Sequence, residues 1–163
     1  MPRNNCELVY LALGSNLGDK AENLQKAIGE ISDRIGPIVV ASSVYETEPW
    51  GYHSPHSFLN QVVAVKTTYS PQRLLQLTQN IEKSLGRAHK TIDQYRDRII
   101  DIDLILYGTL ILDSPKLILP HPRFHLRKFV LEPLCEIAPE LMHPVLKKNM
   151  KAILSDFSDM TSV

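Results

Sequence analysis

The run Arg98-Ile-Ile-Asp-Ile-Asp-Leu-Ile-Leu-Tyr107 alternates acidic and aliphatic side chains around Asp101 and Asp103. A strand reverses its side-chain direction at every residue, so both carboxylates fall on one face and the intervening isoleucines on the other. Any fold containing this strand must bury the aliphatic face, and the acidic face either simply meets solvent or holds a cation. Hard divalent cations take oxygen ligands, and Mg²⁺ commonly binds through one or two carboxylates together with substrate phosphates. Arg96 and Arg98 precede the pair, and Arg87 lies upstream behind Gly86. Acids and phosphate-binding guanidiniums can therefore converge at one end of the strand. The same residues could instead neutralise one another, so the run alone leaves open both a Mg²⁺-nucleotide site and a structural ion cluster.

The surrounding pattern predicts the elements that carry this strand. Glu7 to Leu13 is β-prone and closed by the turn residues of Gly14-Ser-Asn-Leu-Gly18. Asp19 is placed to cap a helix whose apolar positions are Leu24, Ala27, Ile28, Ile31 and Ile35, and Gly36-Pro37 stops it. Ile38 to Tyr45 reads as a strand, Thr47 to Pro55 as a loop, and Phe58 to Val65 as a second strand. Ser70-Pro71 opens a helix with Leu74, Leu75, Thr78, Ile81, Glu82 and Leu85 on or near one stripe, ended by Gly86. Arg87 to Gln94 reads as a mobile loop. Tyr107-Gly108-Thr109 predicts a turn into a short strand, Leu110 to Leu112, and Leu126 to Ile137 predicts a helix interrupted at Pro133. The order β-α-β-β-α-β predicts an α+β, ferredoxin-like split βαβ fold: an antiparallel sheet with helices on one face, plus C-terminal additions.

The length of 163 residues suits one domain, residues 1–163, with 156–163 expected to be a frayed tail. Eighteen basic residues balance 18 acidic ones, so no bulk field recruits nucleic acid or anionic membrane. Cys6 and Cys135 are too few and too far apart for a disulfide framework or a zinc site and read as reduced thiols. No stretch approaches a membrane span or a signal segment, which makes the cytoplasm the expected location.

Several familiar chemistries fail on spacing. Gly14-Ser-Asn-Leu-Gly18 lacks the lysine and hydroxyl of a P-loop, so phosphates must be held by side chains. No nucleophile elbow frames the serines. His121 lies between two prolines, where a structural role and a phosphate contact are both open, with Arg123, Arg127 and Lys128 as basic neighbours. Asn60 follows Phe58 by two residues and so shares its strand face; an amide beside an aromatic ring suits a flat heterocycle.

In combination these motifs resemble the 6-hydroxymethyl-7,8-dihydropterin pyrophosphokinases of folate biosynthesis. The resemblance runs in family order through Leu11 to Leu17, Ser43 to Gly51, Phe58-Leu-Asn60, Gln79 to Arg87, Arg96 to Asp103, Leu119-Pro-His-Pro122, Arg127-Lys-Phe129 and Glu136-Ile-Ala-Pro-Glu140. It implies an ATP- and Mg-dependent enzyme that transfers pyrophosphate to the pterin hydroxymethyl group and leaves AMP. By the family pattern Asp101 and Asp103 would bind two Mg²⁺ ions, and Arg87 and Arg98 would be the catalytic arginines. Gln79, Leu104, Lys116, Ile118, His121 and Arg127 would line the ATP side. Thr47, Glu48, Trp50, Phe58, Asn60 and Phe129 would hold the pterin, with Phe58 and Phe129 sandwiching its ring and Thr47, Glu48 and Trp50 contributing largely backbone; Glu48 stands where some members carry proline, and no side-chain role is carried over to it. His89, Tyr95 and Pro122 depart from residues that other members carry, and the loop from His89 to Tyr95 is expected to close over ATP. ATP and the pterin are the expected partners, with no nucleic acid, membrane or obligate protein partner. A ligand-sensing module of the same fold would need neither the carboxylate pair nor the arginines, and an RNA-binding sheet would spread aromatic and basic residues across its open face, which zero net charge and two clustered acids oppose.

Overall fold

A central strand, β1 (Glu7–Ser15), organises the molecule by pairing antiparallel on both sides. One neighbour is β4 (Phe58–Thr67) and the other β5 (Asp101–Tyr107); β2 (Ile38–Ala41) and β3 (Tyr45–Thr47) pair in succession along the outer side of β4. The computed structural model describes residues 6–47, 57–86 and 99–161, with side chains through Phe157. The predicted loops at Thr47 to Pro55 and Arg87 to Gln94 lie outside those residues except for Thr47, which ends β3.

Each helix begins where a side chain can satisfy an exposed backbone donor. Asp19 accepts the N–H of Glu22 at 3.1 Å to open α1 (Lys20–Arg34), and Ser70 accepts that of Arg73 at 3.2 Å to open α2 (Pro71–Ser84). Both helices lie on one face of the sheet. Leu24, Ala27 and Ile31 from α1 and Leu74, Leu77 and Ile81 from α2 pack on Val9, Leu11, Leu13, Val63, Val65, Ile102 and Leu104. This is the expected split βαβ arrangement.

The C-terminal additions cover only part of the other face. A 3₁₀ turn (Phe124–Leu126) leads into α3 (Lys128–Ile137), and α4 (Met150–Thr161) follows. Phe124, Val130, Leu131, Leu134, Met150 and Ile153 pack on Tyr10, Val62, Ala64, Ile105 and Leu106. Pro133 does not interrupt α3. Its ring is buried among these apolar side chains, which offsets the missing N–H. α4 occupies a segment expected to carry no helix and to fray from Asp156; Asn149 caps it by accepting the Ala152 N–H at 2.8 Å. Asp156 lies inside this helix and bonds Lys148 at 2.8 Å.

Two short elements differ from expectation. The predicted strand Ile38 to Tyr45 is broken in two because Ser42 turns its hydroxyl onto the Val62 N–H at 3.0 Å, a side-chain substitute for a ladder bond. The strand expected at Leu110 to Leu112 begins later, as β6 (Leu112–Asp113), which pairs with β7 (Ile118–Leu119). Gly108, at φ 53, makes the turn that precedes it.

Gly36 closes α1 onto the sheet. A Cβ there would overlap the backbone carbonyl oxygen of Lys66, which cannot swing aside as a flexible side chain could. Gly36→Ala is therefore expected to cost about 2 kcal/mol of stability. Urea unfolding should show a lower midpoint with an unchanged slope; an unchanged midpoint would refute this close approach.

Candidate active site

Directly opposed residues of an antiparallel ladder share a face. The register places Asn60, Gly14 and Asp101 in one row across β4, β1 and β5, and Val62, Ala12 and Asp103 in the next. Both carboxylates therefore share the face opposite α1 and α2, as the alternation of the sequence required. The buried contacts of α3 and α4 begin at the Val62–Ala12 row, so the Asn60–Gly14–Asp101 row lies at the border of that cluster. Asp101 and Asp103 are half-buried, whereas Asn60 is buried.

Gly14 forms the floor between the amide and the acids. A Cβ on it would stand 3.4 Å from Asn60 Oδ1 and 3.6 Å from the Phe58 ring, so the amide oxygen and the aromatic ring both lean over this position. Two strand spacings separate Asn60 from Asp101, about 10 Å. The Asn60 amide is oriented by Thr47, whose Oγ1 accepts from Nδ2 at 2.6 Å. Phe129 sits in the first turn of α3, with the Arg127 guanidinium 5.9 Å from its ring centroid, and α3 packs on β3 and β4.

Glu82, which the spacing places on the α2 stripe but to which it assigns no role, supports the site. It lies on the apolar stripe of α2, is 5% exposed, and accepts the N–H of Ile102 at 2.8 Å. That bond fixes the β5 backbone between Asp101 and Asp103. A carboxylate on a buried helical face was the available signal, since burying a charge is costly unless it is bonded. Gln79 stands three residues earlier on α2 and is half-buried.

The Ile102 N–H points away from β1, and antiparallel parity turns the Leu104 N–H and C=O towards the same outer edge. The Leu104 side chain, however, is 5% exposed within the core under α1 and α2, on the face away from the carboxylates. Any contact it makes with a nucleotide must come from its backbone. Beyond that edge, β7 packs beside β5, with Ile118 exposed; Lys116, exposed, lies on the turn before it. Arg87, Arg98, Glu48, Trp50, His89 and Tyr95 lie outside the described residues.

His121 is anchored to the same edge by its backbone N–H, which donates to Ile105 O at 2.9 Å. Its Nδ1 accepts the Arg123 N–H at 3.1 Å, so the proton of the neutral ring is assigned to Nε2. Burial, followed by the nearby Arg127 and Arg123 charges, lowers its pKa to about 4, against a smaller opposing effect of Asp101. The structure thus gathers Asp101, His121 and Arg127 on one side of the row and Thr47, Phe58 and Asn60 on the other. Among the described residues no three acids, histidines or cysteines cluster as a closed metal cage. Paired carboxylates of this kind fit Mg²⁺, which completes its shell with water and phosphate oxygens.

The molecule is thus a ferredoxin-like α+β domain with paired carboxylates one strand away from a glycine floor and two strands away from an amide and an aromatic ring. A family model described as 7,8-dihydro-6-hydroxymethylpterin-pyrophosphokinase (HPPK) matches residues 10–139, and the chain belongs to this family. It is 48% identical over 139 residues to the 2-amino-4-hydroxy-6-hydroxymethyldihydropteridine pyrophosphokinase of Porphyromonas gingivalis, covering 84% of this chain and 94% of that one. The enzyme of the same name from Bacillus subtilis is 40% identical over 135 residues, covering 82% and 80% respectively. A crystal structure of Plasmodium falciparum HPPK-DHPS superposes with a TM-score of 0.78 at 18% identity, across 98% of this chain and 46% of that one. The chain spans less than half of such HPPK-DHPS chains, and that likeness bears on the fold alone. The activity of the family is ATP-dependent transfer of pyrophosphate to hydroxymethyldihydropterin in folate biosynthesis. Among the described residues no helix is long and apolar enough to cross a membrane.

The lowered His121 pKa has a consequence for folding. The unfolded chain takes up this proton near pH 6.5 but the native ring does so only near pH 4, so acid favours unfolding across that interval. Stability should fall by up to about 3 kcal/mol between pH 6.5 and pH 4 from this group. His121→Asn should flatten that part of the urea-unfolding pH profile; an identical profile in the variant would refute the assignment.

Proposed function

We propose that the Asn60–Gly14–Asp101 row is the reaction axis of the enzyme, with pterin bound over Gly14 beside Asn60 and the triphosphate beside β5. The observation that carries this reading is the register: it puts an amide suited to a heterocycle edge and a pair of hard oxygen donors on one face, two strands apart. Thr47, Phe58 and Phe129 join Asn60 on the pterin side, and the family resemblance adds Glu48 and Trp50. Gln79, Lys116, Ile118, His121, Arg127 and the Leu104 backbone take the ATP side.

Asp101 and Asp103 would hold two Mg²⁺ ions. Bound Mg²⁺ neutralises triphosphate charge and favours displacement at phosphorus. The chain itself supplies placement and further neutralisation. Glu82 keeps the two carboxylates at fixed spacing by holding the peptide between them. Neutral His121 offers an Nε2–H donor without adding charge, Arg127 offers a guanidinium, and the resemblance assigns Arg87 and Arg98 to the transferred group. As the pterin hydroxyl attacks the β-phosphorus it gives up its proton and the bond to the α,β-bridging oxygen breaks, so AMP leaves with the electron pair, the pterin diphosphate forms and one proton is released. Water must be kept out during this step, because it competes for the same phosphorus. The free thiols Cys6 and Cys135 support a reducing, cytoplasmic setting.

Asp101→Asn and Asp103→Asn should each lower AMP formation by about a thousandfold or more while leaving the fold intact. Product chromatography with ATP, Mg²⁺ and 6-hydroxymethyl-7,8-dihydropterin measures this, alongside circular dichroism for folding. Near-normal turnover in either folded variant would remove the carboxylate pair from the mechanism, and ADP in place of AMP would overturn pyrophosphoryl transfer.

A further inference from the structure

Between β2 and β3 the edge of the sheet carries one residue too many. Ala41 opposes Val63 and Tyr45 opposes Asn60, so four steps along the edge match three along β4. An extra residue of this kind is a bulge, and it switches which side chains face each way. Without it Val44 and Glu46 would share the face of Asn60 and Phe58. With it, Tyr45 and Thr47 do, and Thr47 can bond the Asn60 amide.

A three-residue strand has few ladder bonds with which to hold such a register against a one-residue slip. Two side chains hold the bulge instead. Ser42 is buried and bonded to β4 on one side: its N–H donates to Val62 O at 2.9 Å, and its Oγ accepts the Val62 N–H at 3.0 Å. The next residue is held from outside the sheet by Glu136, near the end of α3. The Ser43 N–H donates to Oε1 at 3.1 Å and Oε2 at 2.9 Å, the Ser43 hydroxyl donates to Oε2 at 2.9 Å, and the Tyr45 hydroxyl donates to Oε1 at 2.7 Å. One carboxylate thus takes three donors, two from Ser43 within the bulge and one from Tyr45 where pairing resumes.

The other end of α3 carries Phe129. Seven residues separate Phe129 from Glu136, close to two helical turns, so both lie on nearly the same side of the helix, about 10 Å apart. The helix is a strut whose far end grips the bulge and whose near end presents an aromatic ring.

We propose that Glu136 is a positioning residue for the pterin side of the site: it locks the register of β3, and so the Thr47–Asn60 bond, and holds Phe129 of α3 at a set distance from Phe58. The inference rests on the reading of Phe58, Asn60 and Phe129 as pterin contacts. The bonding keeps both partners in the required states. Its hydrogen bonds to Tyr45 and Ser43 hold the Glu136 carboxyl below its ordinary range, and Glu136 and burial push the Tyr45 phenol up to about 12.

The test is a set of steady-state and binding measurements on folded variants. Glu136→Ala should weaken pterin binding about fivefold with ATP affinity unchanged, and Tyr45→Phe should shift it the same way by less. The double variant should fall short of the product of the two, because both delete one cluster. Glu136→Gln keeps an acceptor oxygen and should restore part of the loss. Tyr45→Phe retains the charge and the Ser43 bonds, so it carries the test should Glu136→Ala fail to fold. Phe58→Ala and Phe129→Ala serve as the reference. If they weaken pterin binding while Glu136→Ala and Tyr45→Phe do not, the positioning role is wrong and the site reading survives. If neither phenylalanine variant changes pterin binding, the site reading itself is wrong. Equal loss of pterin and ATP affinity in the clamp variants would mark a general structural role and overturn the inference.

Discussion

The register of β1 between β4 and β5 governs nearly everything else in this molecule. Because side chains alternate, one choice of pairing places Val9, Leu11 and Leu13 under α1 and α2 and turns Tyr10, Ala12 and Gly14 the other way. The same choice delivers Asn60 from one neighbour and Asp101 from the other to the two sides of Gly14. A slip of one residue would expose the aliphatic core and bury the acids. The free energy of burying the apolar face therefore enforces the geometry of the polar one.

That dependence explains why the charged groups of the site are supported from behind rather than from within. Glu82 reaches from a helix of the buried layer to hold the peptide of Ile102, and His121 is tied by its own backbone to Ile105. Both bonds use the outer edge of β5. The side chains of Asp101 and Asp103 are thereby set by the strand, and α3 and α4 pack mainly on the rows beyond them. Helices on one face build the core, whereas the C-terminal additions cover part of the other and border the site.

The edge of the sheet shows a different solution to the same problem. β1 and β4 are held by ladders of nine opposed pairs, but β3 has three. Ladder bonding of that length does not specify a register, and the structure adds Ser42 and Glu136 as side-chain fixtures at the bulge. Tyr45 joins the same carboxylate, which links a strand of the pterin side to the helix bearing Phe129.

Local rules carried the sequence a long way. Alternation around Asp101 and Asp103 determined a strand with both acids on one face; capping residues Asp19 and Ser70 determined where α1 and α2 begin; and the spacing of Phe58 and Asn60 put them on one side of β4. These are properties of a few consecutive residues, for which chain geometry is enough. The tertiary structure alone decided what crosses between elements: that Gly14 stands between Asn60 and Asp101, that the Leu104 side chain belongs to the core, that Glu82 serves β5, and that Glu136 grips Ser43 and Tyr45 across 93 and 91 positions of chain. Pro133 inside α3 and the break at Ser42 belong to the same group, because burial in one case and a β4 partner in the other outweighed the local preference. Such contacts depend on which surfaces meet after collapse, and sequence spacing does not encode that meeting.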